Sequence, residues 1–170
     1  MPNGAPRIEG FDYRGVYFYS LTVCVSGRRP RLTTPDLVNE ILDQILRHGR
    51  ECGFALLAYC AMPDHLHLLV QGTRDTSDLR SFVRAWKQAT GWAFKRRHGV
   101  RLWQTGYFDH VLRGDESIHK HAAYIVGNPV RAGLKASVGD YPFAQVFCEN
   151  GPSPEASRHR RTGSLKGPKA

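Results

Sequence analysis

The chain has 170 residues, with 24 Lys and Arg against 15 Asp and Glu, a net charge of +9 and a pI of ≈ 9.7. That length suits one domain whose core needs neither disulfides nor a structural metal. No apolar run reaches membrane-spanning length, and the first residues lack the pattern of a secretory signal, so the expectation is a cytoplasmic protein. The basic excess favours a polyanionic partner, although part of it lies in residues 151–170, where Arg158, Arg160, Arg161, Lys166 and Lys169 outnumber Glu155.

Residues 1–12, with Pro2, Gly4, Pro6 and Gly10, read as a loose leader. Val16 to Val25 is rich in β-branched and aromatic residues and predicts a strand. A loop with Gly27, three arginines and Pro30 follows, and then Thr34-Pro35-Asp36 marks a helix start. Leu37, Val38, Ile41, Leu42, Ile45 and Leu46 recur at helical spacing until Gly53.

Phe54 to Met62 and His65 to Val70 read as two strands joined by the Pro63-Asp64 turn, an antiparallel hairpin. Asp78 caps a helix to about His98, with Leu79, Phe82, Val83, Trp86 and Phe94 as its buried stripe and Gly91 as a point of kinking or close packing. Val100–Trp103 and Tyr107–Arg113 predict short extended segments around the Gln104-Thr105-Gly106 turn. A further helix runs from Asp115 or Glu116 to about Gly127 and stops at Asn128-Pro129. Tyr141 to Phe147 is a closing loop or edge strand, and residues 149–170 a basic, disordered tail.

The order predicts an α+β domain over residues 13–148: a ferredoxin-like, RRM-like antiparallel sheet with helices mainly on one face. The four cysteines (Cys24, Cys52, Cys60, Cys148) form no C-x-x-C pair and read as reduced thiols.

On a strand, side chains alternate, so His65 and His67 share one face while Leu66, Leu68 and Val70 share the other. The leucines suit the core, and the imidazoles are left on the opposite side, close enough to bind one ion. An ordinary polar strand face explains an isolated H-x-H better than a metal site does, and two ligands alone make no tight site. His110 lies on an extended segment, while His119 and His121 are poorly placed to share an ion.

Tyr124 and Asn128 lie one helical turn apart, so Asn128 is placed to lend an oxygen to the same ion. A phenol becomes a useful nucleophile when a cation polarises its phosphate target. By residue type alone, Tyr124 reads first as a half-buried helix aromatic, and Tyr13, Tyr17, Tyr19, Tyr59, Tyr107 and Tyr141 are also available.

Three stretches select between these readings. Met62-Pro63-Asp64-His65-Leu66-His67-Leu68-Leu69, Leu102-Trp103-Gln104 with Tyr107-Phe108-Asp109-His110, and Tyr124-Ile125 with Asn128-Pro129-Val130-Arg131-Ala132-Gly133-Leu134 resemble the REP-associated tyrosine transposases of the HUH endonuclease superfamily. The resemblance spans about residues 11–148. It implies an HUH-type single domain with His65 and His67 as metal ligands, Tyr124 as nucleophile and Asn128 completing the metal set. It also implies a single-stranded DNA substrate folded into a palindromic REP-type hairpin, cleaved to a 5′-phosphotyrosine and a free 3′-OH. Asp64 stands where that family often has Asn, and Gly127 is expected to loosen the Tyr124–Asn128 geometry.

The implied cofactor is divalent, Mg²⁺ or Mn²⁺, since imidazole suits Mn²⁺ and Mg²⁺ prefers oxygen. Arg80, Arg84, Lys87 and Lys95 form a helical stripe that Arg96, Arg97 and Arg101 extend. With Arg131 they are the candidate DNA contacts, a stripe able to track phosphates. Trp92, Trp103 and Tyr107 read first as core and second as stacking residues. Joining two DNA ends with one tyrosine per chain suits a homodimer, nicking alone a monomer, and either enzyme would be nucleoid-associated. The alternative is a non-catalytic hairpin DNA- or RNA-binding protein that retains the fold; a small-phosphate hydrolase would need more carboxylates than Asp64 and Asp75 offer.

Overall fold

The computed structural model describes residues 11–113 and 117–147, so most of the expected leader and all of the tail lie outside the described residues. Five strands, β1 (Phe18–Cys24), β2 (Phe54–Met62), β3 (His65–Gly72), β4 (Phe108–Leu112) and β5 (Ala144–Val146), form one antiparallel sheet in the order β4-β1-β3-β2-β5. The first four strands have the ferredoxin-like arrangement, and β5 extends it on the β2 edge. Helices α1 (Pro35–Cys52) and α2 (Leu79–His98) are the two long crossovers, followed by α3 (Ile118–Val126) and the single turn α4 (Asn128–Arg131).

The main core lies between the sheet and the α1/α2 layer. Tyr19, Leu21 and Val23 of β1 and Leu66, Leu68 and Val70 of β3 are buried there against Val38, Ile41 and Ile45 of α1 and Leu79, Phe82 and Trp86 of α2. Each fully buried aliphatic or aromatic side chain contributes about 1.5–3 kcal/mol. Phe54 and Phe82 stack with centroids 4.7 Å apart, tying β2 to α2.

The boundaries follow local chemistry. Gly53 closes α1 at φ 74, and a Cβ there would lie 2.7 Å from the Ser77 hydroxyl, which is buried and donates to the Gly53 carbonyl at 2.6 Å. Asp78 caps α2 through Oδ1, which accepts from the backbone amides of Arg80 and Ser81 at 2.9 and 3.2 Å.

Three details refine the expected arrangement. First, the two long helices α1 and α2 hold one face as expected, while the shorter α3 packs on the other, over β2, β3 and β5. There Ala122 and Ile125 of α3 join Ala58, Cys60, Met62, Leu69, Leu112 and Tyr141 in a second, smaller core. The switch is built into β2: a register irregularity between Leu56 and Ala58 lets Leu56 pack with the main core and Ala58 with the second. Second, α3 is capped by Ser117, whose hydroxyl accepts from the Lys120 amide; Asp115 and Glu116 lie outside the described residues. Third, α3 ends at Val126 with Gly127 as its cap, as expected, but Asn128-Pro129 then opens a separate single turn, α4. Gly127 keeps right-handed helical angles, and Pro129 sits in the first turn of α4, where its missing N–H costs nothing. The extended segment expected at Val100–Trp103 reduces to one bridge, Val25 to Trp103.

Candidate active site

β3 is flanked by β1 and β2, and cross-strand register decides what each imidazole meets. His65 lies between Cys24 and Met62, and His67 between Thr22 and Cys60. All share the face covered by α3, opposite the leucines, as the alternation predicted. The two Nε2 atoms are 3.0 Å apart with the rings nearly perpendicular.

Both rings are anchored from behind. His65 Nδ1 donates to Asp64 Oδ1 at 2.6 Å, and Asp64 Oδ2 is paired with Arg28 Nε at 2.9 Å. Arg28 reaches Asp64 from a left-handed backbone conformation (φ 53), an uncommon geometry for a non-glycine residue. His67 Nδ1 bonds the Thr22 hydroxyl at 3.0 Å. Burial holds the His67 pKa down to about 4, helped by the charges on His65, Arg131 and Arg28, so at neutral pH this ring is uncharged.

These bonds constrain the tautomers. With the His65 Nδ1 proton committed to Asp64, its Nε2 presents a bare lone pair. With a neutral His65, the 3.0 Å contact has His67 Nε2–H donating and Thr22 donating to His67 Nδ1. Turning the Thr22 hydroxyl to accept reverses the His67 tautomer and leaves an unprotonated Nε2 on each ring. Two nitrogens in adjacent positions of an octahedral ion, each about 2.1 Å from it, lie about 3.0 Å apart. The observed spacing fits one divalent ion. No cluster of three His, Cys, Asp or Glu side chains able to hold a metal occurs among the described residues.

Tyr124 stands on α3, 60% exposed, while its neighbours Ala122, Ile125 and Val126 are buried. Arg131 organises this end of the helix. Its guanidinium carbon lies 3.8 Å from the Tyr124 ring centroid, and Nη2 donates to the Tyr124 carbonyl and, at 2.8 Å, to Asn128 Oδ1. The Asn128 amide nitrogen donates to the Ile125 carbonyl at 3.0 Å, so local bonds engage both ends of its carboxamide. Gly127 does not loosen this arrangement: a Cβ there would come within 2.8 Å of Arg131 Nη1 and 3.1 Å of the Ala123 carbonyl. Its bareness is what admits the guanidinium. The same Arg131 charge acts on His67 and on Cys60, linking the tyrosine end of α3 electrostatically to the imidazoles.

His110 of β4 lies opposite Ser20 and stacks against His121 of α3, 6.0 Å between centroids. Of the eight basic candidates, Arg80, Arg84, Lys87, Lys95 and Arg101 line a cleft of ≈ 710 Å³ between α2 and residues 101–107. Arg96 stacks on the Trp92 ring at 4.6 Å, Arg97 is ion-paired with Glu40 of α1, and Arg131 stands apart beside Tyr124. Trp103 is core, its indole N–H donating to Thr90, whereas Trp92 is 64% exposed and corrects the expectation of burial. Thr22 and Arg28 were not legible as site residues, because cross-strand register and a strained loop bring them there. Asp64 was, by adjacency to His65, although the turn it occupies masks that role.

Fold and site together define a class: a ferredoxin-like α+β domain carrying a paired-imidazole face beneath a tyrosine-bearing helix. The profile of the family described as "Transposase IS200 like" matches residues 16–128, and the chain belongs to that family. Membership places it among transposase-like enzymes that nick and join DNA. It is similar to the REP-associated tyrosine transposase of Escherichia coli K12, 29% identical over 136 residues (76% of this chain, 75% of that one). A Haemophilus influenzae protein named provisionally as one of the same group is 29% identical over 145 residues (79% and 81%). Among solved structures, a REP-associated tyrosine transposase bound to a REP hairpin superposes with a TM-score of 0.68 at 24% identity, covering 82% of each chain, a likeness of fold. Among the described residues, no helix is long and apolar enough to cross a membrane.

Proposed function

We propose that this chain is a metal-dependent single-stranded DNA endonuclease and strand transferase acting beside REP-type hairpins, working as a single domain over residues 13–148. The observation that carries the reading is the His65–His67 pair, with Nε2 atoms 3.0 Å apart and both Nδ1 atoms anchored, on the sheet face that α3 covers. Family membership and the names of the relatives support the substrate class.

In this reading His65 and His67 would hold Mg²⁺ or Mn²⁺, and Asn128, whose Oδ1 now accepts from Arg131, would add an oxygen to the set. The bound ion supplies Lewis-acid polarisation of the scissile phosphate. The Tyr124 phenol oxygen attacks phosphorus in line; its O–P bond forms as the bond from phosphorus to the 3′ oxygen breaks. The phenolic proton leaves, and the departing oxygen takes up a proton to become a free 3′-OH. The 5′-phosphotyrosine keeps one phosphodiester linkage, so attack by another 3′-OH restores a DNA backbone and frees the phenol. Arg131, already stacked on the ring, steadies the nucleophile and offers charge to the phosphate. Arg80, Arg84, Lys95, Arg96, Arg97 and Arg101 are the DNA-facing surface, strongest along the cleft, where Lys87 instead braces the wall through the Gln104 and Gly106 carbonyls. Such an enzyme works in the cytoplasm at the nucleoid, as a monomer for nicking or a homodimer for joining two ends.

The test is covalent trapping of a labelled hairpin oligonucleotide in Mn²⁺ or Mg²⁺. Wild type should give a denaturant-stable adduct, and Tyr124→Phe should lose it while keeping hairpin affinity. An adduct that survives in Tyr124→Phe removes that residue from the chemistry. Hairpin binding with no adduct in any divalent metal would establish a non-catalytic binding protein instead.

A further inference from the structure

The cleft between α2 and residues 101–107 has three features that coating a duplex backbone does not require. Its basic side chains face no opposing charge, since none of the described residues lining it is acidic. Trp92 stands in it 64% exposed with Arg96 stacked on the ring, so a large apolar surface is left in water beside a cation. Gly91 lies next to Trp92 in the cleft wall. A mid-helix glycine weakens a helix, yet a Cβ here would only reach ordinary contact with the Trp103 ring, at 3.5 Å. Packing does not demand glycine at this point, whereas close approach of a ligand would.

The facing wall is rigid. Lys87 spans the cleft and donates to the Gln104 and Gly106 carbonyls at 3.0 and 2.5 Å; the Gln104 amide is tied to the Cys24 carbonyl, and the Trp103 indole to Thr90. Burial lowers the Lys87 pKa to about 8, as expected of an ammonium spent on an internal strut. Arg80 lies over the Tyr13 ring at 5.1 Å, and Arg84, Lys95 and Arg101 are then the cations left to face a ligand. At ≈ 710 Å³ the cleft has the size of a small-ligand site. The Gln104–Phe108 turn that forms its wall also lines a small hollow against Cys24, the register partner of His65.

We propose that this cleft seats an unpaired segment of the DNA, with one base stacked on Trp92 over the bare backbone of Gly91 and its phosphates on Arg84, Lys95 and Arg101. The inference rests on the reading of hairpin DNA as the partner but needs no catalysis. Aromatic stacking tolerates any base, so the cleft selects for single-strandedness rather than for sequence.

The experiment compares two fluorescein-labelled hairpins by anisotropy, one blunt-ended and one with a short single-stranded flank. Wild type should prefer the flanked hairpin. Trp92→Ala should lose roughly 5- to 100-fold on the flanked hairpin, the range of a lost base stack, and change little on the blunt one. Gly91→Ala should weaken flanked-hairpin binding likewise while melting no lower than wild type, because alanine is the better helix former. Arg84→Gln should lower the salt dependence of flanked-hairpin binding by about one counterion. Equal affinity of Trp92→Ala and wild type for the flanked hairpin would overturn the proposal, as would Gly91→Ala binding normally. Failure of wild type to bind either hairpin would overturn it together with the DNA reading. Tyr124→Phe should leave every one of these affinities unchanged, so a failed cleavage mechanism remains separable from a failed cleft.

Discussion

At the scale of residues, the imidazole pair depends on side chains that carry no reactivity of their own. Arg28, Asp64 and His65 form a chain of contacts at 2.9 and 2.6 Å, and Thr22 holds His67 at 3.0 Å. Outer groups of this kind fix ring orientation and tautomer, and their loss typically costs 10- to 100-fold in metal affinity. Asp64→Asn keeps the shape but gives up the carboxylate that fixes the His65 Nδ1 proton. Its Mn²⁺ affinity without DNA, followed by electron paramagnetic resonance, should fall roughly 10-fold or more. An unchanged affinity would show that Asp64 serves only the turn. The strained Arg28 backbone argues for more, since such a conformation costs of order 1–3 kcal/mol and persists only where surrounding contacts hold it.

At the scale of elements, the site is only as firm as its helix ends. Asp78 satisfies two amides at the start of α2, which forms one side of the basic cleft. Asp78→Ala should cost about 1 kcal/mol in urea denaturation, with the slope against urea unchanged. At the other end of the chain, α3 passes into α4 through Gly127, whose missing side chain leaves room for Arg131. Gly127→Ala would force the guanidinium off the helix end and so act on Tyr124 and Asn128 together, although it raises helix propensity. The stop expected at Asn128-Pro129 falls where α3 ends, but the sequence did not show that a further turn follows it. Here right-handed angles at Gly127 carry the chain into one more turn.

At the scale of the whole molecule, one buried charge joins the cleft wall to the rest of the fold. Lys87 loses its proton more readily when folded, with a pKa of about 8 against 10.5 in the open chain. Between those values the unfolded chain binds more protons, so this residue's contribution to stability rises with pH across the window and is least favourable below pH 8. Urea midpoints at pH 7.5 and 9.5 should therefore show wild type gaining on Lys87→Met as the pH rises; a gap independent of pH would mean that the amine is not buried as a cation. The sequence by itself determined the strand and helix order, the leucine and histidine faces of β3, the α2 cap and the family, because alternation, helical spacing and capping are local properties. It also led to His65, His67 and Tyr124, whose motifs are contiguous. Only the tertiary structure decided that α3 covers the face opposite α1 and α2, that Thr22 and Arg28 brace the imidazoles, that Trp92 is exposed, and that five basic residues share one cleft. Those facts depend on strand register, on a parity change at one irregularity in β2 and on packing between segments far apart in the chain, none of which leaves a short-range pattern.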